Sequence, residues 1–401
     1  MKRPTVNKAK VSFLLSHPIQ YFSPMLRQLA KSDHVDLTVY YCSNPSVGKQ
    51  VDRGFGTVVS WDTPLLEGYQ SEFLHNLSSS RSLDNKFWSL VNFGIVKKLY
   101  TDNSKIVIVH GWSYFTNYLT IITAKLLGKQ VWLRGENPLN QEMRKSNVLR
   151  AIKKIVLQYG LFKLVSRFLY IGSQNHDFYL YYGVKSKQLI YAPYSVDNLF
   201  FTAQANSLKP VHDKLRSEYG VPLDSVIILF SGKYIHKKRP LDLIKAYAQL
   251  KDERVALVMV GEGELRGEME NLVKQFGLKN VFLTGFINQK EIGNYYAMSD
   301  IFVLPSGPGE TWGLVVNEAM LFNLPIIVSS TTGCSSDLVK HGDNGFVFEE
   351  GNINELTKYL SVLVADSGLR RKAGESSRKI IAAYDYSVMI KNVEEAIKLN
   401  K

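Results

Sequence analysis

Short apolar runs rich in β-branched residues alternate along the chain with longer stretches in which apolar positions recur at helical spacing. The runs are apolar throughout, which is typical of strands covered on both faces of a parallel sheet. In the first half the predicted strands are 11–15, 35–39, 105–109, 130–133 and 168–171. In the second half they are 226–230, 255–260, 281–283, 301–304, 325–328 and 345–348. Helical spacing between them is clearest at 240–250, 264–276 and 288–298. The alternation predicts an α/β fold.

The alternation breaks once, over the mostly polar residues 198–222. A chain of 401 residues is also long for a single hydrophobic core. We therefore predict two doubly wound, Rossmann-like domains, each binding ligands at the carboxyl ends of its strands. The predicted units are residues 1–200, residues 201–383, and a C-terminal helix over 384–401 that is able to pack back on the first domain.

Composition narrows the class of protein. Hydrophobic residues make up 45% of the chain and charged residues 21%, and no run approaches the about 18 apolar residues that a membrane span requires. The short apolar stretch near the N-terminus does not resemble a secretory signal, so the expected location is the cytoplasm. Cys42 and Cys334 lie far apart and form no metal-ligand spacing, so neither a disulfide framework nor a metal site is expected.

The formal net charge of +13 indicates an anionic partner: nucleic acid, a membrane surface or a phosphate-bearing substrate. The chain has no zinc-ligand pattern, no aromatic RNA-binding signature and no long basic run. Nucleic acid is therefore not an expected partner.

The loop after the strand at 226–230 joins a glycine to a cluster of cations. Gly232 permits a tight turn, and Pro240 suits the first position of the following helix. The cations are Lys233, Lys237, Lys238 and Arg239. Such a loop at a strand's carboxyl end suits a diphosphate, although a solvated basic turn explains it equally well. After the next strand, Gly261 and Gly263 would let the backbone approach a ligand, but a Gly-x-Gly pair is more often only a turn.

The segment 305–320 is the most informative one. A glycine-rich loop follows the strand at 301–304, and a helix begins near Gly313, where the first amides and the helix dipole would bind phosphate. Glu310 in the loop is suited to sugar hydroxyls, and an acidic helix start is the alternative. Glu318 lies deeper, among apolar neighbours, where a carboxylate needs a partner and the hydroxyls of a ribose would supply one.

These motifs, taken in order over roughly residues 190–350, resemble those of the retaining glycosyltransferases of family 4, also called group 1. The matching segments are 192–197, Gly232 and Lys233 with Lys238, 260–263, 300–306, Glu310 to Glu318, and 342–345. Two positions depart from the family pattern. Lys233 stands where arginine is usual, giving a point charge in place of a bidentate fork, and residues 333–337 replace a Gly-Gly pair and a glutamate.

The resemblance implies a GT-B fold, in which two Rossmann-like domains face a central cleft, a nucleotide-diphosphate sugar as donor, retention at the anomeric carbon, and no metal or other cofactor. It further implies that Lys233 and Lys238 neutralise the departing diphosphate, that the Gly313 and Leu314 amides hold it, that Glu318 binds the ribose, and that Glu310 binds the transferred sugar. The predicted donor-binding set also includes Gly232, Gly261 and Gly263.

The first half matches the family less closely, and its candidates follow the predicted strands. His17 and Gln20 lie after the first strand and are suited to bind substrate hydroxyls; a helix-capping turn is the alternative. The next strand ends contribute His110, which we also place among the catalytic candidates, and Arg134 with Glu136. In the family these strand ends lie beside the transferred sugar, which makes them acceptor-side candidates. A structural hydrogen-bonding role is the alternative for the histidine.

Residues 143–167 are basic and apolar at helical spacing. They suit an anionic membrane surface, and an ordinary amphipathic helix on the sheet is the alternative. The function we predict is a metal-independent, hexosyltransferase-type enzyme of cell-surface polysaccharide synthesis (capsule, O-antigen or exopolysaccharide). Its acceptor would be a glycan, carried on a lipid at the inner face of the cytoplasmic membrane. The alternatives are a sugar-nucleotide epimerase on the same scaffold and a basic binding protein with a degenerate fold.

Overall fold

The computed structural model describes residues 8–44, 50–52, 56–59, 61–78 and 86–399. The chain divides into two compact units. The first comprises Met1–Gly48, Pro64–Pro193 and Tyr386–Lys401, and the second comprises Lys49–Thr63 and Tyr194–Asp385. Residues 49–63, which the sequence assigned to the first domain, therefore cluster with the second unit. Across the described ranges, no helix is both long enough and apolar enough to cross a bilayer.

The strands of the described residues, in chain order, are β1 (Ala9–Leu15), β2 (Val35–Tyr41), β3 (Gln50–Asp52), β4 (Thr57–Val59), β5 (Gln70–Phe73), β6 (Ile106–His110), β7 (Gln130–Arg134), β8 (Arg167–Tyr170), β9 (Leu189–Tyr191), β10 (Val226–Ser231), β11 (Val255–Val260), β12 (Val281–Leu283), β13 (Ile301–Leu304), β14 (Ile326–Ser329) and β15 (Gly345–Phe348).

The α-helices are α1 (Phe22–Ala30), α2 (Gly94–Thr101), α3 (Phe115–Leu126), α4 (Leu139–Glu142), α5 (Asn147–Ile155), α6 (Ser173–Tyr181), α7 (Asn198–Leu208), α8 (His212–Glu218), α9 (Pro240–Leu250), α10 (Arg266–Gln275), α11 (Gln289–Met298), α12 (Leu314–Leu321), α13 (Ser335–Leu338), α14 (Ile353–Ala365), α15 (Ser367–Ile381) and α16 (Tyr386–Lys398). A π-helical turn (Val156–Gly160) continues α5. Short 3-10 turns occupy Phe87–Ser89, Leu161–Leu164, Ser186–Gln188, Lys209–Val211 and His236–Lys238.

The first unit is built on a seven-stranded parallel sheet in the order β5-β2-β1-β6-β7-β8-β9. The central strands are almost wholly buried, which is why their sequences are continuously apolar. The pattern missed the two edge strands, β5 and β9. Gln70–Phe73 is polar and largely exposed, and Leu189–Tyr191 has only three residues, so neither carries an apolar run.

The second unit has a six-stranded parallel sheet in the order β12-β11-β10-β13-β14-β15. The chain moves outward from β10 to β12, then returns to place β13 on the other side of β10. The topological switch point of this sheet therefore lies between β10 and β13, where loops diverge and leave a crevice. The predicted α/β class with two Rossmann-like units is confirmed.

The C-terminal helix α16 belongs to the first unit. The Tyr386 hydroxyl donates to the Tyr21 carbonyl at 2.7 Å, and the Asn392 side-chain amide donates to the Tyr191 carbonyl at 2.8 Å. Met389 and Val393 are buried on the same helix. Its amphipathic spacing therefore reflects packing on the first sheet.

The polar stretch 198–222, where the sequence pattern breaks, forms the helices α7 and α8. The Asp197 carboxylate caps α7 by accepting from the Phe200 amide at 3.1 Å. Phe201 is fully buried and anchors this helix. A helix held by one cap and one buried aromatic needs few apolar residues, so composition alone hid it.

Candidate functional site

The predicted donor-binding residues follow β10, β11 and β13, three adjacent strands of the second unit. Because these strands are parallel, the loops at their carboxyl ends emerge at one edge of the sheet. The Gly307 amide donates to the Lys237 carbonyl at 2.7 Å, which ties the loop after β13 to the loop after β10. The switch point is thus bridged by the two loops that carry the predicted chemistry.

Glu310 and Lys238 form an ion pair across this edge. The Lys238 ammonium contacts the Glu310 carboxylate, and both side chains are largely shielded from solvent. The Lys237 ammonium lies 4.0 Å from the same carboxylate oxygen and donates to the Gly309 carbonyl at 3.2 Å. The Ser306 hydroxyl lies 3.4 Å from that oxygen. Glu310 is therefore a buried carboxylate beside cations, and its sugar-binding role stays a prediction.

The electrostatics of this group of charges favour the ionised form of Glu310. Burial by itself would raise the pKa of Glu310, but the charges of Lys238 and Lys237 outweigh it and hold the pKa below its usual range. Burial lowers the pKa of Lys237, and the neighbouring charges of Lys238 and Lys233 lower it further, against the opposing effect of Glu310. Two ammonium groups, those of Lys237 and Lys238, therefore lie near one carboxylate, and the charge of Lys233 acts on Lys237. This excess of positive charge suits an anionic ligand.

The requirement for glycine at positions 261 and 263 has a structural cause that the sequence did not reveal: Gly261 and Gly263 pack directly against the backbone of the neighbouring loop. A Cβ on Gly261 would lie 1.9 Å from the Gly232 carbonyl oxygen, and one on Gly263 would lie 2.6 Å from the Tyr234 carbonyl oxygen. The Tyr234 amide donates to the Glu262 carbonyl at 2.8 Å, so the two loops pack backbone against backbone. Both glycines have positive φ, at 146° and 156°. Close packing of the loops is sufficient to require glycine here; their donor-binding role stays a prediction.

Helix α12 begins after Gly313, whose φ of 100° gives the left-handed turn that redirects the chain. A Cβ there would lie 2.8 Å from a methyl of Leu304, so the helix start is pressed against the end of β13. The first amides of α12, including that of Leu314, belong to the positive end of the helix dipole. This geometry suits the predicted phosphate contact.

Glu318 is buried within α12, with 4% of its surface exposed. Its Oε2 atom accepts a hydrogen bond of 2.7 Å from the hydroxyl of Tyr296 on α11. This weakens the sequence argument that a nucleotide must supply the partner of the carboxylate, because the protein supplies one itself. Tyr296 was missed because tyrosines are frequent in this chain and this one carries no motif.

Two further groups shape the site. Arg239, one of the four predicted cations, is held by Asp242 at 2.6 Å and by Glu350 at 3.2 Å, so it ties the loop to its own unit. Asn317 is fully buried and accepts from the Trp312 indole at 2.9 Å. Its side-chain amide donates to the Tyr194 carbonyl at 3.0 Å. Asn317 fixes the orientation of the loop between Glu310 and Glu318, a role that the sequence did not show.

In the first unit, the structure brings His110 and Glu136 together. The His110 Nε2 atom lies 3.3 Å from the Glu136 carboxylate, and its ring packs edge-on against Phe22 at 4.9 Å between centroids. Burial lowers the pKa of His110, which Glu136 opposes and Arg134 reinforces. The Nδ1 atom is buried and has no hydrogen-bond partner among the described residues. A neutral imidazole with one unused nitrogen is able to accept a proton or a hydroxyl hydrogen bond.

The other first-unit candidates, Arg134, His17 and Gln20, each have different surroundings. Arg134 is 2% exposed, and its guanidinium contacts the Ala192 carbonyl, the Met389 sulfur and the Phe22 ring. Its contacts indicate a core residue that anchors α16, and the acceptor-side role stays a prediction. His17 pairs with the neighbouring Ser16 hydroxyl at 2.9 Å. Within the described ranges, the buried side-chain oxygen of Gln20 has no hydrogen-bond partner, which keeps Gln20 as a ligand candidate.

Comparison with known proteins adds a partial family match to this geometry. Residues 211–380 match the family model described as "Glycosyl transferases group 1". This range covers the loops after β10, β11 and β13, and therefore every predicted donor-side residue. The second unit thus carries the recognisable part of the chain.

Two curated relatives show how far sequence similarity extends. An uncharacterized glycosyltransferase of Methanocaldococcus jannaschii is 29% identical over 187 residues, which is 46% of this chain and 47% of that protein. The sulfoquinovosyl transferase SQD2 of Arabidopsis thaliana is 30% identical over 177 residues, 43% of this chain and 33% of that protein. The chain spans about half, or less, of the length of these relatives.

Structural similarity extends over both units. The crystal structure of Anabaena HepE in complex with UDP and glucose superposes with a TM-score of 0.71, covering 97% of this chain and 99% of that one, at 17% sequence identity. At this identity the likeness shows the fold alone. The chain has two parallel-sheet, Rossmann-like units, and its structural neighbours are GT-B glycosyltransferases.

Proposed function

We propose that this protein is a glycosyltransferase that moves a sugar from a nucleotide-diphosphate sugar to an acceptor glycan. The observation that carries the proposal is the Glu310–Lys238 ion pair, joined by Lys237, at the switch point of the sheet that matches the group 1 glycosyl transferase model. Crevices at such switch points bind nucleotides in doubly wound folds. The structural neighbour crystallised with UDP and glucose supports a nucleotide-sugar donor.

The donor-side chemistry follows from charge. As the bond between the anomeric carbon and the diphosphate oxygen breaks, negative charge develops on the leaving group, and Lys233 and Lys238 stabilise it. An ammonium has three N–H donors, so Lys238 is able to keep Glu310 and donate to a phosphate oxygen at the same time. The acceptor oxygen bonds to the anomeric carbon on the face that the diphosphate leaves, and the acceptor proton passes to the diphosphate. We propose that the reaction retains configuration and needs no metal ion.

Glu310 and Glu318 bind different parts of the donor. Glu310 is held ionised by the neighbouring lysines and accepts hydrogen bonds from hydroxyls of the transferred sugar. Glu318 binds the ribose while sharing the Tyr296 hydroxyl. The Gly313 and Leu314 amides, at the start of α12, hold the diphosphate.

On the acceptor side we propose a glycan carried on a lipid, in the assembly of a cell-surface polysaccharide such as a capsule, an O-antigen or an exopolysaccharide, at the inner face of the cytoplasmic membrane. His110 and Gln20 each hold a buried polar atom that has no hydrogen-bond partner in the described part of the chain, and they are suited to orient an acceptor hydroxyl. Glu136 lies 3.3 Å from the Nε2 atom of His110 and orients the ring, while the acceptor proton passes to the diphosphate.

The test is donor turnover by the full chain with a panel of UDP-, GDP- and ADP-sugars, with and without acceptor. We expect release of one nucleoside diphosphate, slow with water alone and faster with acceptor. Turnover of none of the donors would contradict the proposal. Accumulation of an epimerised nucleotide sugar without acceptor would establish the sugar-nucleotide epimerase instead.

A matched pair of variants tests the placement of the site. Glu318→Ala removes the proposed ribose contact, and Glu291→Ala removes an exposed glutamate of the neighbouring helix α11. We expect donor turnover to fall by about two orders of magnitude in the first and to stay unchanged in the second. Unchanged turnover in Glu318→Ala would show that the donor binds elsewhere.

A further inference from the structure

One helix of the first unit presents an apolar face to solvent. None of the nine residues of α5 is buried. Six apolar side chains of α5 and the following π-helical turn are between 55% and 68% exposed, and they are Val148, Leu149, Ile152, Ile155, Val156 and Tyr159. Their spacing places them on one side of the helix. We refer to these six residues as the 148–159 face.

The opposite side of the same helix is fixed to the first unit. The Lys153 ammonium donates to the buried Glu142 carboxylate at 2.8 Å and lies 5.0 Å from the centre of the Phe178 ring. Leu157 and Leu161 enter the core at the end of the helix. The Ser146 hydroxyl caps its start, accepting from the Leu149 amide at 3.3 Å. The 148–159 face is therefore held outward, and the expectation of an ordinary helix packed on the sheet through its apolar face is wrong.

The segment that carries this face has charges of one sign. Residues 143–167 contain seven Lys and Arg residues and no Asp or Glu. Glu142, just before this segment, is buried and already shared by Lys145 and Lys153. Arg150 and Lys154 lie on α5 itself, beside the apolar residues. An apolar face flanked by cations of its own segment is complementary to a surface that is apolar in depth and anionic at its boundary.

We propose that the 148–159 face docks on an anionic lipid surface, with its apolar side chains inserted at the level of the headgroups and the flanking cations against lipid phosphates. A second copy of this chain packed symmetrically on the same face would bring the same cations together, which opposes that occupant. The role of this docking rests on the proposed function, because a lipid-linked acceptor would lie at the lipid surface. The binding itself does not depend on catalysis.

The experiment is co-sedimentation of the full chain with vesicles. We expect binding to phosphatidylcholine vesicles that contain about 30% phosphatidylglycerol, weak binding to pure phosphatidylcholine, and loss of binding at about 1 M salt, where charges are screened within about 3 Å. Leu149→Glu and Ile152→Glu should each weaken binding about tenfold or more, because each removes a buried aliphatic group from the bound state. Arg150→Gln and Lys154→Gln should each weaken it roughly fivefold.

Leu199→Glu is the matched control, since Leu199 is 76% exposed at the start of α7 in the second unit; its binding should equal that of the unmodified chain. Donor turnover should be unchanged in Ile152→Glu, which separates this proposal from the proposed function. Absence of vesicle binding, or binding that survives both Leu149→Glu and Ile152→Glu, would overturn the proposal. A dimer in analytical ultracentrifugation that Ile152→Glu dissociates, without vesicle binding, would assign the face to a second copy.

Discussion

The carboxyl edges of the two sheets differ in how their polar groups are used. In the second unit, the loops after β10, β11 and β13 hold one another through backbone contacts and bring Lys237 and Lys238 to the buried Glu310. In the first unit, Arg134 is committed to core contacts, and His110 meets Glu136 while one of its nitrogens has no hydrogen-bond partner among the residues described. A prearranged group of charges suits a ligand of fixed charge, such as a diphosphate, whereas the sparse first-unit edge suits a neutral hydroxyl.

The largest expected effect is a loss of donor turnover when a charge is removed from the carboxyl edge of the second sheet. Lys238→Ala removes the main counter-ion of Glu310 and of the departing diphosphate, so donor turnover should fall by about 10²- to 10³-fold. Lys274→Ala, at an exposed position of α10, is the control and should leave turnover unchanged. Equal turnover in the two variants would show that the charge arrangement is structural.

The backbone contact between the donor-side loops gives the next largest effect. Gly261→Ala would force a Cβ to within 1.9 Å of the Gly232 carbonyl oxygen at a φ of 146°. We expect the free energy of unfolding in urea to fall by about 4 kcal/mol or more. Gly267→Ala lies within α10, where the added Cβ would point into open space, and it should instead raise the free energy of unfolding by about 1 kcal/mol. A small loss in Gly261→Ala would mean that the two loops separate easily.

The Tyr296–Glu318 hydrogen bond tests whether the deeper carboxylate is also prearranged. Tyr296→Phe removes a donor from a buried carboxylate, so the free energy of unfolding should fall by about 1–3 kcal/mol. Tyr100→Phe, at a tyrosine that is 74% exposed, should change it by less than about 0.5 kcal/mol. If Tyr296→Phe changes the free energy of unfolding as little as Tyr100→Phe does, other partners hold Glu318 and the hydrogen bond from Tyr296 does not determine its position.

The smallest effect concerns pH at the first-unit edge. Burial lowers the pKa of His110, so below its unfolded value of about 6.5 the unfolded chain takes up the proton first. Stability should therefore fall as the pH drops below about 6.5, by less than about 1.4 kcal/mol per pH unit from this group. His110→Gln should remove that part of the slope in urea titrations between about pH 5 and 8. An identical slope in His110→Gln would mean that His110 is not buried as a neutral ring.

The second unit was predictable from the sequence because its signals are local. Continuous apolar runs predict buried parallel strands, and a glycine or lysine directly after such a run must lie at the carboxyl edge of the sheet. The segments 226–230, 255–260 and 301–304 were therefore sufficient to place the loops that contain Lys238, Gly261 and Glu310. The apolar pattern does not reveal the helices over 198–222, where one cap and one buried phenylalanine stabilise α7 within a polar composition.

The chain by itself determined the fold class, the sheet edges at which chemistry is expected, and the charge of the proposed donor site, because all three depend on residue type and spacing along the chain. Only the tertiary structure decided what each side chain contacts. It paired Glu318 with Tyr296 across 22 residues of sequence, explained Gly261 by its approach to Gly232, and left the 148–159 face exposed. Such contacts join residues that are distant in sequence, and spacing along the chain does not encode them.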